Sequence, residues 1–253
     1  DAPGLRIMGK MGYDVITFGN HEFDFRADGL AGSLYAAKTS GDELPEIVAS
    51  NIIFPVDEDG NLTPSLTKLK KSMEEYGVKD YTIIEKNGLK IGVFGLMGKE
   101  ADSNAPMSEV EFTNQIKAAR NMVEVLENEE VDLIICLSHS GTWEDKSKSE
   151  DEILAKKVPE IDVIISGHTH TALEEPIIIG NTIIASSGRY GGNLGVINIA
   201  KNKDKWELKD YSLKPIDDGL PIDGEISQIV ENYKKRVQEK YLDKFNMGFD
   251  QVL

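Results

Sequence analysis

The stretch "DVITFGNHEFDF", residues 14–25, passes from an apolar segment into polar residues within one turn. Residues 14–18 are mostly β-branched or aromatic, which is typical of a buried strand. Gly19 then permits a sharp turn, and the polar residues that follow it are Asn20, His21, Glu22 and Asp24. Polar groups at the mouth of a buried strand must be hydrogen-bonded or bound to a ligand. The stretch therefore predicts a strand that delivers functional side chains.

Two further apolar segments end in the same way, namely "IICLSH" at residues 134–139 and "IISGHTH" at residues 164–170. Together with the first stretch they contain all 4 histidines of the chain. In an open α/β sheet, ligands bind outside the carboxyl ends of the strands. Imidazoles and an amide gathered at such an edge predict a transition-metal site. Its candidate residues are Asn20, His21, His139, His168 and His170.

Each motif also has a purely structural interpretation. A single Gly-Asn-His-Glu segment is compatible with a capped turn, and His139 alone is compatible with a hydrogen-bonded histidine of the core. The Gly-His-Thr-His segment favours a site more strongly, because alternate residues can aim both rings to one side. The repetition of one design at three strand ends favours a shared site over three coincidences.

The composition is that of an ordinary globular protein and narrows the class of partner. The 253 residues are 40% hydrophobic and 28% charged, with a net charge of −16. This charge argues against a nucleic-acid partner, because phosphate backbones require a basic face. No apolar run reaches the roughly 18 residues that span a bilayer. Cys136 is the single cysteine, so no internal disulfide can form, and its apolar neighbours predict a buried thiol.

Helical and strand patterns alternate along the chain, which predicts an α/β fold with one domain and a C-terminal helix. The segments "DVITF" at 14–18 and "EIVASNIIF" at 46–54 are predicted strands, and residues 56–62 an exposed loop. Hairpin turns are predicted at Asn87-Gly88 and Gly180-Asn181. An amphipathic helix is predicted around 113–130, with its apolar face formed by Ile116, Met122, Val123 and Leu126.

The blocks "GNHEFD", "LSH" and "GHTH" resemble the calcineurin-like metallophosphoesterase family. More narrowly, they resemble its secreted 5′-nucleotidase and UDP-sugar hydrolase branch, and the similarity extends from about Leu5 to Pro215. The resemblance implies a four-layer α-β-β-α sandwich and two divalent metal ions, zinc, manganese or similar, bridged by an aspartate. In that family a hydroxide formed from metal-bound water attacks the phosphorus.

The resemblance also implies individual roles. By position in the motifs, Asn20, His139 and His168 would bind one ion and His170 the other. His21 and Asp24 resemble the family's catalytic pair, in which the histidine stabilises the transition state or assists the leaving oxygen. Glu22 is expected to hydrogen-bond nearby backbone. Arg189 is open between a phosphate contact and a turn residue, and Trp143 between a cover for the site and an ordinary aromatic.

The chain departs from the family at both ends. The Asp-x-His and Gly-Asp blocks that open the family are absent, and the sequence begins at Asp1 rather than Met, as in a processed or excised piece. We therefore expect an N-terminally truncated sandwich that binds at most one ion well and has reduced or no turnover. Residues 1–216 are expected to form the partial catalytic domain. Residues 217–253 are expected to form a linker helix towards a substrate-binding domain that lies outside this sequence.

The function expected from the resemblance is metal-dependent hydrolysis of nucleotide phosphomonoesters. Alternatives within the superfamily are a 2′,3′-cyclic-nucleotide phosphodiesterase, a UDP-sugar hydrolase and a thiosulfate-ester hydrolase. An alternative of another class is a non-catalytic metal-binding fragment. The expected partners are a nucleotide or nucleotide derivative and the parent protein's missing N-terminal strands and C-terminal domain. By resemblance alone, the expected location is extracellular, periplasmic or at the cell surface.

Overall fold

A six-stranded mixed sheet lies at the centre of the computed structural model, which describes residues 2–203 and 205–251. The helices are α1 Pro3–Lys10, α2 Arg26–Lys38, α3 Pro64–Tyr76, α4 Lys99–Ser103, α5 Gln115–Asn128, α6 Glu150–Lys157 and α7 Gly224–Lys240, with 3₁₀ turns at Asn20–Phe23 and Leu242–Phe245. The strands are β1 Val15–Ile16, β2 Glu46–Ile47, β3 Ile52–Ile53, β4 Tyr81–Lys86, β5 Leu89–Met97, β6 Glu111–Phe112, β7 Leu133–His139, β8 Val163–Ser166, β9 Ile177–Ile179, β10 Thr182–Ala185, β11 Asn193–Asn202 and β12 Lys205–Pro215.

The order of the central sheet is β4-β5-β7-β8-β10-β9. Its four inner strands are parallel, and the two edge strands run antiparallel to their neighbours. In the register, Met97 lies opposite His139, and Ser138 lies opposite Ser166. The carboxyl ends of β5, β7 and β8 therefore lie level at one edge, where the histidine motifs leave the sheet.

The two faces of this sheet are covered differently. Helices α5 and α6 pack on one face, around the fully buried Phe94, Cys136 and Ile164. On the other face, the hairpin β11–β12 covers the amino-terminal half of the strands, where Trp206 packs with Val163. The carboxyl-terminal half of that face is more open, since Ile165 is 39% exposed whereas Val163 is 3% exposed.

A second apolar core joins the "DVITF" stretch to helices α2 and α3. Its members are largely buried apolar side chains and include Phe18, Phe23, Leu34, Ile47 and Leu69. Strand β1 pairs in parallel with β2 and has no other strand partner among the described residues. This arrangement of helices, central sheet, second β layer and helices confirms the predicted α/β fold class.

Two predicted strands are wrong in their extent. Within 14–18, only Val15–Ile16 forms a ladder, because among the described strands β1 has a partner on one side only. The segment 46–54 is two short strands that pair with different partners, β2 with β1 and β3 with β6. Asn51 separates them, and its side chain bonds to the backbone of Met97 and Thr113.

Helix α3 was missed by the sequence analysis, which assigned no element to residues 64–76. Its signals are present: the Thr63 hydroxyl accepts the N–H of Leu66, Pro64 opens the helix, and Gly77 ends it at a φ of 99°. In the sequence, several lysines and glutamates lie between the apolar residues and make the helical period hard to recognise. In the structure, Leu66, Leu69 and Met73 pack against α2.

Both predicted hairpins and the amphipathic helix are confirmed. Asn87 and Gly88 have φ values of 54° and 79°, as a type I′ turn requires, and Gly180-Asn181 joins β9 to β10.

Cys136 is buried, as predicted. Among the described residues, no helix has the length and apolarity needed to cross a membrane. The predicted C-terminal helix is α7. Residues 1, 252 and 253, which the predicted domains include, lie outside the described residues.

Candidate metal centre and catalytic pair

Asn20 and His139 meet at the edge of the sheet although 119 positions separate them in the chain. His139 is the last residue of β7, and the buried Asn20 begins the 3₁₀ turn after β1. Asn20 Oδ1 lies 2.9 Å from His139 Nε2. Gly19 makes this approach possible, because a Cβ there would lie 2.8 Å from His139 Cε1.

His168 completes a close group with these two residues. Its ring centroid lies 5.1 Å from that of His139, at an interplanar angle of 63°. His168 and His170 both adopt the left-handed region, with φ values of 71° and 57°. That conformation costs a non-glycine residue about 1–2 kcal/mol. Such strain is characteristic of functional sites, where chemistry rather than folding selects the side chain.

His170 lies on the outer side of the group. Its ring is 5.7 Å from the Tyr190 ring, and the Arg189 guanidinium lies 5.0 Å above Tyr190. Tyr190 is 86% exposed and also has a positive φ of 59°. Arg189 is thus part of an exposed cation–aromatic stack beside a candidate ligand, rather than only a turn residue.

His21 and Asp24 form a pair at the surface of the same edge. His21 Nδ1 donates to Asp24 Oδ2 at 2.9 Å, and the two side chains are 75% and 50% exposed. The carboxylate therefore fixes the ring and leaves Nε2 facing outward. Glu22 has the expected backbone role, because its Oε2 accepts the N–H of Gly19 at 2.5 Å.

The environment keeps His139 uncharged. Burial is the main cause that lowers the pKa of its imidazole from 6.5 to about 4, and electrostatic repulsion from His168, His21 and His170 contributes to the same decrease. A neutral imidazole is the form that binds a metal ion, because protonation removes the lone pair. The same interactions place the other three histidines within electrostatic range of His139.

One residue in contact with the group was not predicted. The Glu100 carboxylate, in α4, contacts His168 Nε2. No sequence signal links two residues 68 positions apart, and Glu100 lies in a short helix that the sequence analysis did not assign. Trp143 is half-buried and lines a cleft of about 770 Å³ with Glu100 and Gln115, so it borders this region rather than covering the histidines.

Comparison with known proteins identifies the family of this chain. A profile of the Calcineurin-like phosphoesterase family matches residues 5–172, which include every candidate site residue. The chain belongs to this family. The fold and the family are those of phosphoesterase enzymes.

The names of the similar proteins describe enzymes that act on nucleotides. The chain is 32% identical to the trifunctional nucleotide phosphoesterase protein YfkN of Bacillus subtilis, over 98% of this chain and 18% of that protein. It is 32% identical to a 5′-nucleotidase of Diplobatis ommata, over 68% and 26%. A 5′-nucleotidase precursor from Thermus thermophilus has a similar structure, with a TM-score of 0.69 at 22% identity over 92% and 45%. The chain therefore spans less than half of each of these proteins.

The donor set fits a divalent ion in part. An amide oxygen and neutral imidazole nitrogens suit zinc or manganese. Among the residues that the structure describes, no three His, Cys, Asp or Glu side chains are grouped so that they could hold an ion by themselves. A site formed by His139 and His168 would need a further donor such as the Asn20 amide. The family is metal-dependent, and this group provides suitable ligands.

Proposed function

We propose that this chain is the catalytic part of a metal-dependent hydrolase of nucleotide phosphomonoesters, of the 5′-nucleotidase type. One observation carries the proposal: Asn20 Oδ1 and His139 Nε2 converge to 2.9 Å beside His168, at the strand ends where the His21–Asp24 pair also lies. The nucleotide class of substrate is supported by the similar nucleotide phosphoesterases.

Asn20, His139 and His168 would hold one divalent ion, and His170 would contribute to a second. Such ions supply Lewis-acid stabilisation of the negative charge on the phosphate. Among the described residues, the ring contact of His170 is with Tyr190, which is not a candidate ligand, and no group of three His, Cys, Asp or Glu side chains forms around it. This chain alone therefore binds at most one ion well.

His21 assists departure of the ester oxygen that joins the nucleoside to the phosphorus. Its Nδ1–H is committed to Asp24, so the exposed Nε2 is the atom that exchanges a proton with the leaving group. The Asp24 carboxylate stabilises the protonated ring and keeps it oriented. Arg189, above Tyr190 and near His170, offers positive charge to the substrate in a protein that is otherwise strongly acidic.

Residues 1–216 form the catalytic domain, and residues 217–253 form a linker helix towards a substrate-binding domain. Helix α7 buries none of its residues, and Ile222 before it is 82% exposed. The second edge of β1 and the open carboxyl-terminal half of the central sheet near Ile165 are where preceding strands of the parent protein would pack.

The parent protein acts outside the cytoplasm, in the extracellular space, the periplasm or at the cell surface. The support is the similarity to a protein named snake venom 5′-nucleotidase, which is 31% identical over 67% of this chain. Fractionation of the source cells, with immunodetection of the parent protein, tests this location. Detection in the cytoplasm alone would contradict it.

Phosphate release from a nucleoside 5′-monophosphate, with manganese or zinc and then with excess EDTA, tests the function. We expect release that depends on the metal, weak in this chain and stronger in a longer protein that carries it. A 2′,3′-cyclic nucleotide and a UDP-sugar, assayed in parallel, identify the alternative substrates. Release that persists in EDTA, or a protein that binds neither ion, would contradict the proposal.

A further inference from the structure

Three consecutive carboxylates begin helix α6, and the first two are directed to loops at the candidate site. They are Glu150, Asp151 and Glu152, and Asp151 is fully buried. A charged helix start is ordinarily solvated and complements the helix dipole. Here Asp151 instead points away from solvent, to the end of strand β7.

The Asp151 carboxylate bonds to residues that precede and follow His139 in the chain. Its Oδ1 accepts the hydroxyl of Ser138 at 2.6 Å, and its Oδ2 accepts the backbone N–H of Gly141 at 3.1 Å. The N–H of Asp151 in turn donates to the carbonyl of Gly141 at 3.1 Å. The residue before His139 and the turn after it are therefore held by one side chain.

The turn itself leaves little freedom. Gly141 has a φ of 96°, and a Cβ there would lie 2.3 Å from the Thr169 side chain of the Gly-His-Thr-His segment. The His139 turn thus packs directly on the loop that carries His168. A displacement of Gly141 would change the separation of these two imidazoles.

A series of polar contacts extends this support to Glu100. Ser138 Oγ lies 2.8 Å from Ser140 Oγ, which donates to Gln115 Oε1 at 2.7 Å. Gln115 Nε2 donates to Glu150 Oε2 at 3.3 Å. The Glu150 carboxylate then accepts the backbone N–H groups of Lys99 and Glu100 at 2.9 and 3.1 Å.

This network is costly to build, since burying a carboxylate disfavours folding unless it is fully hydrogen-bonded. An apolar contact between α6 and the sheet would hold the helix at lower cost, as Leu154 and Ala155 already do. The carboxylate supplies directed bonds on both sides of one histidine, which apolar packing cannot.

We propose that Asp151 is a positioning residue for His139 and thereby sets the affinity of this edge for a divalent ion. The inference rests on the proposed function, in which His139 is a metal ligand. Groups that orient metal ligands typically change metal affinity about 10–100-fold when they are replaced.

The test compares Asp151→Asn with Asp162→Asn. Asp162 is a matched control because its carboxylate bonds to the opposite end of strand β7. Asp162 Oδ2 accepts the N–H of Ile134 at 2.9 Å, at the amino end of β7. In Asp151→Asn, the new amide either turns its N–H groups towards the Gly141 N–H, which cannot accept them, or turns them towards Ser138, whose hydroxyl must then accept instead of donate. Zinc and manganese affinities are measured by competition with a fluorescent chelator, on variants whose folding is checked by circular dichroism.

We expect Asp151→Asn to weaken ion binding about 10–100-fold, with Asp162→Asn unchanged within about twofold. Ser138→Ala, which removes one bond and leaves the carboxylate, should give a smaller loss and serves if Asp151→Asn does not fold. Wild-type affinity in both Asp151→Asn and Ser138→Ala, or an equal loss in Asp162→Asn, would overturn the inference alone. A wild-type chain that binds neither ion would overturn the proposed function and this inference with it.

Discussion

Two carboxylates that bond at opposite ends of strand β7, those of Asp132 and Asp151, lie in opposite environments. At the amino end, Asp132 accepts the N–H of Lys90 at 3.0 Å, and this bond holds the pKa of the carboxyl group below its ordinary value. At the carboxyl end, burial raises the pKa of Asp151 from 3.8 to about 7, although Ser138 and Gly141 bond to it. The same residue type is stabilised as an anion at Asp132 and opposed as an anion at Asp151.

The difference teaches which end of the sheet serves folding and which serves chemistry. The amino end combines backbone bonds, a lysine and the Trp206 hairpin, all of which favour the folded state. The carboxyl end combines a buried carboxylate, an imidazole that resists protonation and two histidines in left-handed conformations. Unfavourable features of this kind concentrate at functional sites.

The largest expected difference between the two ends of the sheet is in the rate of catalysis. His21→Ala should lower metal-dependent phosphate release about 10²–10⁴-fold, the usual contribution of a proton-transfer group, while ion binding is unchanged. Phosphate release is measured in this chain or in a longer protein that carries it. Asp132→Asn, at the amino end, is the control and should keep the wild-type rate. A wild-type rate in His21→Ala would remove His21 from the catalytic pair.

The next effect is a dependence of stability on pH. Folded Asp151 binds a proton up to about pH 7, whereas the unfolded carboxyl group releases it near pH 3.8. Its contribution to the free energy of unfolding therefore increases as the pH falls from about 7 to about 4. His139 acts in the opposite sense, because its lowered pKa makes the folded state resist protonation below pH 6.5.

Asp151→Asn separates these two contributions. The stability of the wild type relative to the variant should increase on acidification from pH 8 to about pH 4, by up to about 4 kcal/mol. Urea unfolding in EDTA at several pH values measures this difference. A difference that does not vary with pH would mean that Asp151 titrates normally and that the two ends of β7 are alike.

The smallest effect contrasts two positions on one face of β8. Val163→Ala should lower the free energy of unfolding by about 2 kcal/mol, because Val163 is enclosed by the Trp206 hairpin. Ile165→Ala removes more atoms, yet it should cost less than about 1 kcal/mol at this exposed position. Urea unfolding of both variants gives the comparison. An equal or larger cost at Ile165 would mean that the face is covered in solution.

The sequence predicted the site better than it predicted the elements between the motifs. The three strand ends were recognisable because each changes from apolar to polar residues in one turn, and the structure brings Asn20, His139 and His168 together. The extent of "EIVASNIIF" was wrong because Asn51 diverts the chain by bonding to Met97 and Thr113, contacts that only the fold creates.

The support beneath the site was not predictable for a related reason. Glu150 and Asp151 lie in a segment whose charge is typical of a solvated helix, and only tertiary packing buries Asp151 completely. Glu100 likewise has no local pattern that would connect it to His168. Local patterns report periodicity and turn chemistry, whereas these contacts depend on where α4 and α6 meet the sheet.

The left-handed backbone at His168 and His170 has a consequence for laboratory evolution. Glycine adopts these φ values without steric cost, so a library selected for heat resistance alone should accumulate glycine or asparagine at both positions. Such a selection would improve the scaffold while erasing its ligands. A selection that also demands metal binding should retain both imidazoles and place its stabilising changes elsewhere.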